Sequence, residues 1–232
     1  MDNATRLQYL DAMGIDVWVE KDSVPIDISL SVSRVEFNAE GFVDDKIKPD
    51  SWFDLQNEVS DCQKCSLCQS RKQVVFGEGN INADWMLVSD EPDESEELEG
   101  KPFAGQVGLL LNEIIRAMGQ KRDKVYITNI IKCRPTEDRD AKVDELRTCD
   151  DYLQRQIVLL KPKIIIALGR VAAQHLLKTK EPLSKIRGVR REVNGIPLVV
   201  IYHPAYLLRS LLEKRKAWHD LQVAINIYQE EK

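Results

Sequence analysis

The sequence predicts an α/β fold, a three-layer α/β/α arrangement around a mainly parallel central sheet. Short apolar, β-branched runs such as KIIIALG and LVVIYHP recur along it, and stretches with a helical period separate them. The runs are apolar throughout rather than alternating, as strands covered on both faces are. Right-handed crossovers then join the strands, and functional side chains are expected at their carboxyl ends.

The elements follow in order from about Ser51. A helix is predicted through SWFDLQNEVSDC, then strand DWMLVSD, helix GQVGLLLNEIIRAMG and strand KVYITNII. Helix AKVDELRTCDDYLQRQIVLL, strand KIIIALG, helix RVAAQHLL, strand LVVIYHP and a long last helix complete the series. Asn194-Gly195 inside REVNGIPLVV is a type I′ turn signal, so the last core strand arrives through a hairpin. Residues 23–50 mix short apolar alternations with acidic and turn residues and read as a linker, leaving 1–22 as a separate peptide and 51–232 as the folded domain.

With 232 residues, 43% of them hydrophobic and 31% charged, the chain can bury one core of ordinary domain size and carry an appendage. No run of about 18 apolar residues and no signal-like start is present, which predicts a cytoplasmic protein without a membrane partner. The net charge of −5 conceals a division: residues 1–99 carry 8 basic and 23 acidic groups (−15), residues 100–232 carry 25 and 15 (+10). The second part suits either a polyanion such as DNA or a plain lysine-rich solvated surface.

Three of five cysteines fall in DCQKCSLCQSR. Cys62 and Cys65 form C-x2-C, whose two thiolates can grip one centre, while Cys133 follows a strand and Cys149 lies on the next helix. In a reducing compartment four such thiolates suit tetrahedral zinc or an iron-sulfur cluster, and spacing alone leaves both open beside unrelated buried cysteines.

Taken together, CQKCSL…R, GKPFAGQVGLLL, VYITNIIKCRP, ALG, IRG and YHPAYLLR resemble the family-four uracil-DNA glycosylases, across about residues 58–225. The resemblance implies that fold, a 4Fe-4S cluster on Cys62, Cys65, Cys133 and Cys149 with Cys68 spare, and a base pocket. A glycosylase must extrude a base, read its edge and stabilise the departing negative charge. Phe103 offers a stacking face, the Asn129 amide can pair with a uracil edge that cytosine would mismatch, and His203 can support charge on the leaving base. Ordinary core packing, strand-end hydrogen bonding and helix capping are the plain structural readings of these three.

The first loop departs from the family pattern. Where the family has G-E-A-P-G, this chain reads SDEPD, Ser89 to Asp93. Loss of both glycines is expected to constrain the loop where positive φ and close approach are needed, and the eight acidic residues between Asp84 and Glu99 to repel phosphates. Damaged catalysis is the expectation, with a carboxylate on Asp90 or Glu91 as the remaining candidate to orient water.

At the N-terminus Leu10, Met13, Gly14, Ile15 and Trp18 form a partner-docking pattern, an apolar helical face, a stop and an extended apolar run. The segment resembles the N-terminal peptide of the psi subunit of bacterial DNA polymerase III, of the form L-x2-L-G-I-x2-W. The combination predicts a non-catalytic, iron-sulfur replisome adaptor that binds clamp-loader subunits and a chi-like subunit. An active uracil-DNA glycosylase of base-excision repair is the alternative.

Overall fold

The structure is a computed structural model that describes residues 51–136 and 139–231. The predicted docking peptide, with Leu10, Met13, Gly14, Ile15 and Trp18, and the linker lie outside the described residues.

The expected three-layer α/β fold is present. Six strands lie in one sheet: β1 (Glu78–Gly79), β2 (Trp85–Ser89), β3 (Tyr126–Asn129), β4 (Ile164–Leu168), β5 (Arg190–Val193) and β6 (Ile196–Ile201). Their spatial order is β1-β3-β2-β4-β6-β5. The four central strands are parallel, with β1 and β5 pairing antiparallel at the edges. Between β5 and β6, Asn194 and Gly195 take φ of 51° and 76°. Both central positions of the turn are therefore left-handed, as a type I′ hairpin requires.

Helices α1 (Trp52–Ser60), α2 (Glu94–Glu99), α3 (Gly105–Ala117), α4 (Val143–Leu160), α5 (Arg170–Leu176), α6 (Leu183–Ile186), α7 (Pro204–Arg209) and α8 (Lys214–Glu230) complete the chain. Successive strand residues feed opposite cores. Trp85, Leu87, Ile164 and Ile166 pack with α3 and α8, whereas Met86, Val88, Ile165 and Ala167 pack with α1, α4 and α5. The continuous apolar runs follow from this, because neither face of a central strand meets water.

From β2 the chain passes to β3 on one side and later to β4 on the other. The crevice outside a strand at such a reversal is where α/β sheets bind ligands, and Ser89–Asp93 leaves β2 at that point. The acidic run beyond it is not an open loop. Asp93 caps α2, its side chain accepting from the Glu96 N–H while Glu96 accepts from the Asp93 N–H, and Glu96 and Glu97 turn inward. Among the described residues no helix is long and apolar enough to cross a membrane.

Candidate active site

Phe103 is 4% exposed and stands between α2 and α3 with φ 55°, in the left-handed region. A non-glycine residue there costs about 1–3 kcal/mol, so its surroundings must hold it. Its N–H donates to Glu96 Oε1. Gly108 of α3 lets the turn approach, since a Cβ at that position would lie 1.8 Å from the Phe103 carbonyl oxygen. The Phe103 ring stacks beside His203, centroids 5.5 Å apart and planes 28° from parallel.

Asn129 ends β3 and is fully buried. Its Nδ2 donates to Glu96 Oε2 at 3.3 Å, while its Oδ1 is buried with no hydrogen-bond partner. Behind it, Lys132 Nζ donates to the Asn129 carbonyl at 2.7 Å, to Thr128 Oγ1 at 2.7 Å and to Gln156 Oε1 at 2.6 Å, which fixes the strand end. Glu96 thus gathers N–H donors from Phe103, Asp93 and Asn129. Burial nevertheless outweighs those donors and pushes its carboxyl up to about 7. The sequence reading did not single out Glu96; its place three residues after Asp93, the capping-box spacing, was the available signal.

His203 follows β6 and caps α7, its Nδ1 accepting the Ala205 N–H at 3.1 Å. Burial lowers its pKa, with the Asp90 charge pulling the other way. The ring is therefore neutral with its proton on Nε2, since Nδ1 is used as an acceptor. Nε2 lies 3.0 Å from Ser89 Oγ, whose hydroxyl donates to Asp90 Oδ1 at 3.0 Å, and the imidazole is 3.8 Å from that carboxylate.

The expectation that SDEPD distorts the loop fails on its backbone angles. Among the described non-glycine residues only Phe103, Lys161, Lys178 and Asn194 have positive φ, and none lies in Ser89–Asp93. Serine and aspartate fit without strain there, and each makes a hydrogen bond that glycine could not. Glu91 lines a cleft of about 610 Å³ with Asp93, Ser95, Pro135 and Arg139. Its Oε2 is buried without a partner. Burial, with Asp90 and Asp140 adding to it and Arg139 opposing, pushes this carboxyl up to about 8. Of the predicted residues, Phe103, His203 and Asp90 stand together, Asn129 joins them through Glu96, and Glu91 faces the neighbouring cleft.

The expected cysteines come together, but not as a metal site. Cys62, Cys65, Cys68, Cys133 and Cys149 line one recess of about 10 Å³, room for roughly one water. All five are free thiols, and Cys133 Sγ accepts from Arg71 Nη1 at 3.2 Å. Burial pushes the Cys133 thiol up to about 11 and raises that of Cys149. Among the described residues no group of three His, Cys, Asp or Glu side chains could hold a metal ion. The residues as arranged do not fit a 4Fe-4S cluster, and that expectation is corrected.

A buried aromatic ring, a buried amide with a vacant acceptor and a neutral imidazole thus gather beside the carboxyl ends of β3 and β6. The profile of the Uracil DNA glycosylase superfamily matches residues 76–222, and the chain belongs to that superfamily. It is 42% identical over 174 residues to a type-4 uracil-DNA glycosylase of Saccharolobus solfataricus, covering 69% of this chain and 81% of that protein. Type-4 uracil-DNA glycosylases of Sulfurisphaera tokodaii (40% over 182 residues, 71% and 81%) and Archaeoglobus fulgidus (37% over 163 residues, 67% and 82%) are similar to it as well.

These likenesses overturn the reading of the chain as a non-catalytic, iron-sulfur replisome adaptor and, with it, the inclination away from an enzyme. They run through most of the folded body and most of each relative, whereas the psi-like match rested on nine residues, Leu10 to Trp18. Among the described residues and the relatives, nothing points to clamp-loader or chi-like partners.

Proposed function

We propose that the chain is a uracil-DNA glycosylase that hydrolyses the N-glycosidic bond of deoxyuridine in DNA, with residues 51–232 as its catalytic body. The observation that carries this reading is Asn129 Oδ1, a fully buried acceptor at a strand end without a partner. Leaving such a group unpaired costs about 1–3 kcal/mol, so this strand end suits a ligand that donates to it. Uracil N3–H is such a donor. Cytosine presents a lone pair at N3 and is rejected by repulsion between acceptors.

The remaining groups supply what bond cleavage needs. The extruded base stacks on Phe103. As the bond breaks, negative charge spreads over the uracil carbonyl oxygens, and the Nε2–H of His203, directed at Ser89 Oγ, can donate to one of them when the base displaces that contact. A neutral imidazole suits this role because it donates a hydrogen bond without giving up a proton. Glu91, on the adjoining cleft with its Oε2 unpartnered, is the carboxylate we assign to orient the attacking water once it is ionised, while Asp90 terminates the His203–Ser89 chain. The basic excess of residues 100–232 supports DNA as the partner.

The test is release of uracil from single- and double-stranded oligonucleotides carrying one uracil, with a cytosine oligonucleotide as control. Uracil release by the wild type, no cytosine release, and loss of at least about 100-fold in Asn129→Ala are expected. A folded wild type that releases no uracil would overturn the reading.

A further inference from the structure

We infer that Arg122 is a positioning residue for base stacking: it fixes the peptide group that sets the orientation of the Phe103 ring. The inference rests on the uracil-glycosylase reading and adds to it a residue remote from the reacting atoms.

The peptide unit between Pro102 and Phe103 has two poles, the Pro102 oxygen and the Phe103 N–H. Arg122 Nη2 donates to the oxygen at 2.6 Å, and Glu96 accepts from the N–H. A guanidinium on the negative pole and a carboxyl on the positive pole resist rotation of the plane, and that rotation is the φ of Phe103. A left-handed φ at a phenylalanine persists only where its surroundings over-determine it, and these two contacts do so from opposite sides.

Arg122 is itself immobilised. It lies in the short 3-10 turn Arg122–Lys124 before β3, and its side chain is about a quarter exposed. Nε and Nη2 donate to Glu78 Oε2 of β1 at 3.2 and 2.9 Å, and Nη1 donates to Asn112 Oδ1 of α3 at 3.0 Å. A planar fork is needed to meet three acceptors on separate segments at once, and a lysine ammonium cannot reproduce it. Glu78 and Asn112 aim the guanidinium, and the Pro102 oxygen is what it is aimed at.

The test uses full-length wild type, Arg122→Met, Arg122→Lys and Glu78→Gln, measuring melting temperature, active fraction, single-turnover uracil release and inhibition by free uracil. Weakened stacking should raise the uracil inhibition constant and slow release about tenfold in Arg122→Met. Arg122→Lys should show a smaller change in the same two quantities, which keeps the inference testable if the methionine variant does not fold. Glu78→Gln retains an acceptor oxygen and should leave both quantities within about twofold. If both Arg122 variants lose melting temperature or active fraction while their active molecules keep the wild-type inhibition constant, Arg122 is only a structural tie and the inference is overturned. A wild type that neither releases uracil nor is protected by it would overturn the parent reading and this inference together, and that failure appears without any variant.

Discussion

His203 Nε2 lies 3.0 Å from Ser89 Oγ, joining the end of β6 to the end of β2 across 114 residues of chain. Because Nδ1 accepts the Ala205 N–H, the remaining proton points along this contact and onward through the serine hydroxyl to Asp90. Two substitutions separate orientation from charge stabilisation. Removing the imidazole in His203→Ala should lower single-turnover uracil release by about 10²–10³-fold, the scale of one lost oxyanion donor. Ser89→Gly should cost less than about tenfold, since it removes one neutral partner and leaves the donor in place. Equal losses in the two variants would mean that Ser89 touches the reacting base.

Glu91 gives the pH dependence a sign. Its carboxyl is raised to about 8, so at neutral pH it is mostly protonated and cannot orient water as an acceptor. Release should therefore rise as pH passes through about 8 and level off above it, and Glu91→Gln should flatten that limb. Stability runs the other way. A carboxyl whose folded pKa lies above its unfolded value contributes stability that is complete below the unfolded pKa and lost as pH climbs through the folded one. Glu91→Gln should accordingly gain melting temperature relative to wild type between pH 5 and about 8. A pH-independent difference between the two proteins would remove Glu91 from both roles.

The thiols offer a chemical check on their arrangement. Cys133 and Cys149 are buried with raised thiol pKa values, whereas Cys62, Cys65 and Cys68 are half-buried. In the native protein at about pH 8, iodoacetamide should label within the Cys62–Cys68 segment first and leave Cys133 and Cys149 unmodified until urea is added. Peptide mapping after timed labelling would show it. Early modification of Cys133 would contradict the burial and its bond from Arg71.

The sheet was legible because its signals are local. Ile164–Leu168 is apolar throughout for a strand with helices on both faces, and Asn194-Gly195 tolerates the two left-handed positions of its turn. Phe103, Asn129 and His203 stand out as candidates through motifs, yet the carboxyl that connects two of them is hidden. Glu96 sits in a run of acids, and charge pattern alone cannot tell which member of a six-residue helix turns inward. The loop misleads for a related reason. The absence of glycine matters only where φ is positive, and φ in Ser89–Asp93 is a property of the folded turn that residue types do not reveal. The positive φ falls instead at Phe103, a residue type that gives no warning of it.

Gly108 sets two general rules against each other. It lies within α3, where an alanine would favour the helix by about 1 kcal/mol on propensity alone. Its missing side chain, however, makes room for Phe103: a Cβ would stand 1.8 Å from that residue's oxygen and 2.7 Å from its carbonyl carbon, both backbone atoms that cannot swing aside. The contact should win. Gly108→Ala is expected to lose at least about 2 kcal/mol of stability in urea unfolding, as overpacking against fixed atoms does. Any relief must come from moving the Phe103 turn, so molecules that still fold should release uracil at least about tenfold more slowly. Gly119 supplies the control: it carries φ 78° with nothing within 4 Å of a built Cβ, so its alanine variant bears backbone strain without a clash. Gly119→Ala should lose stability while keeping wild-type release per folded molecule. If Gly108→Ala matched it in that respect, the close approach of α3 would not be what holds Phe103 in place.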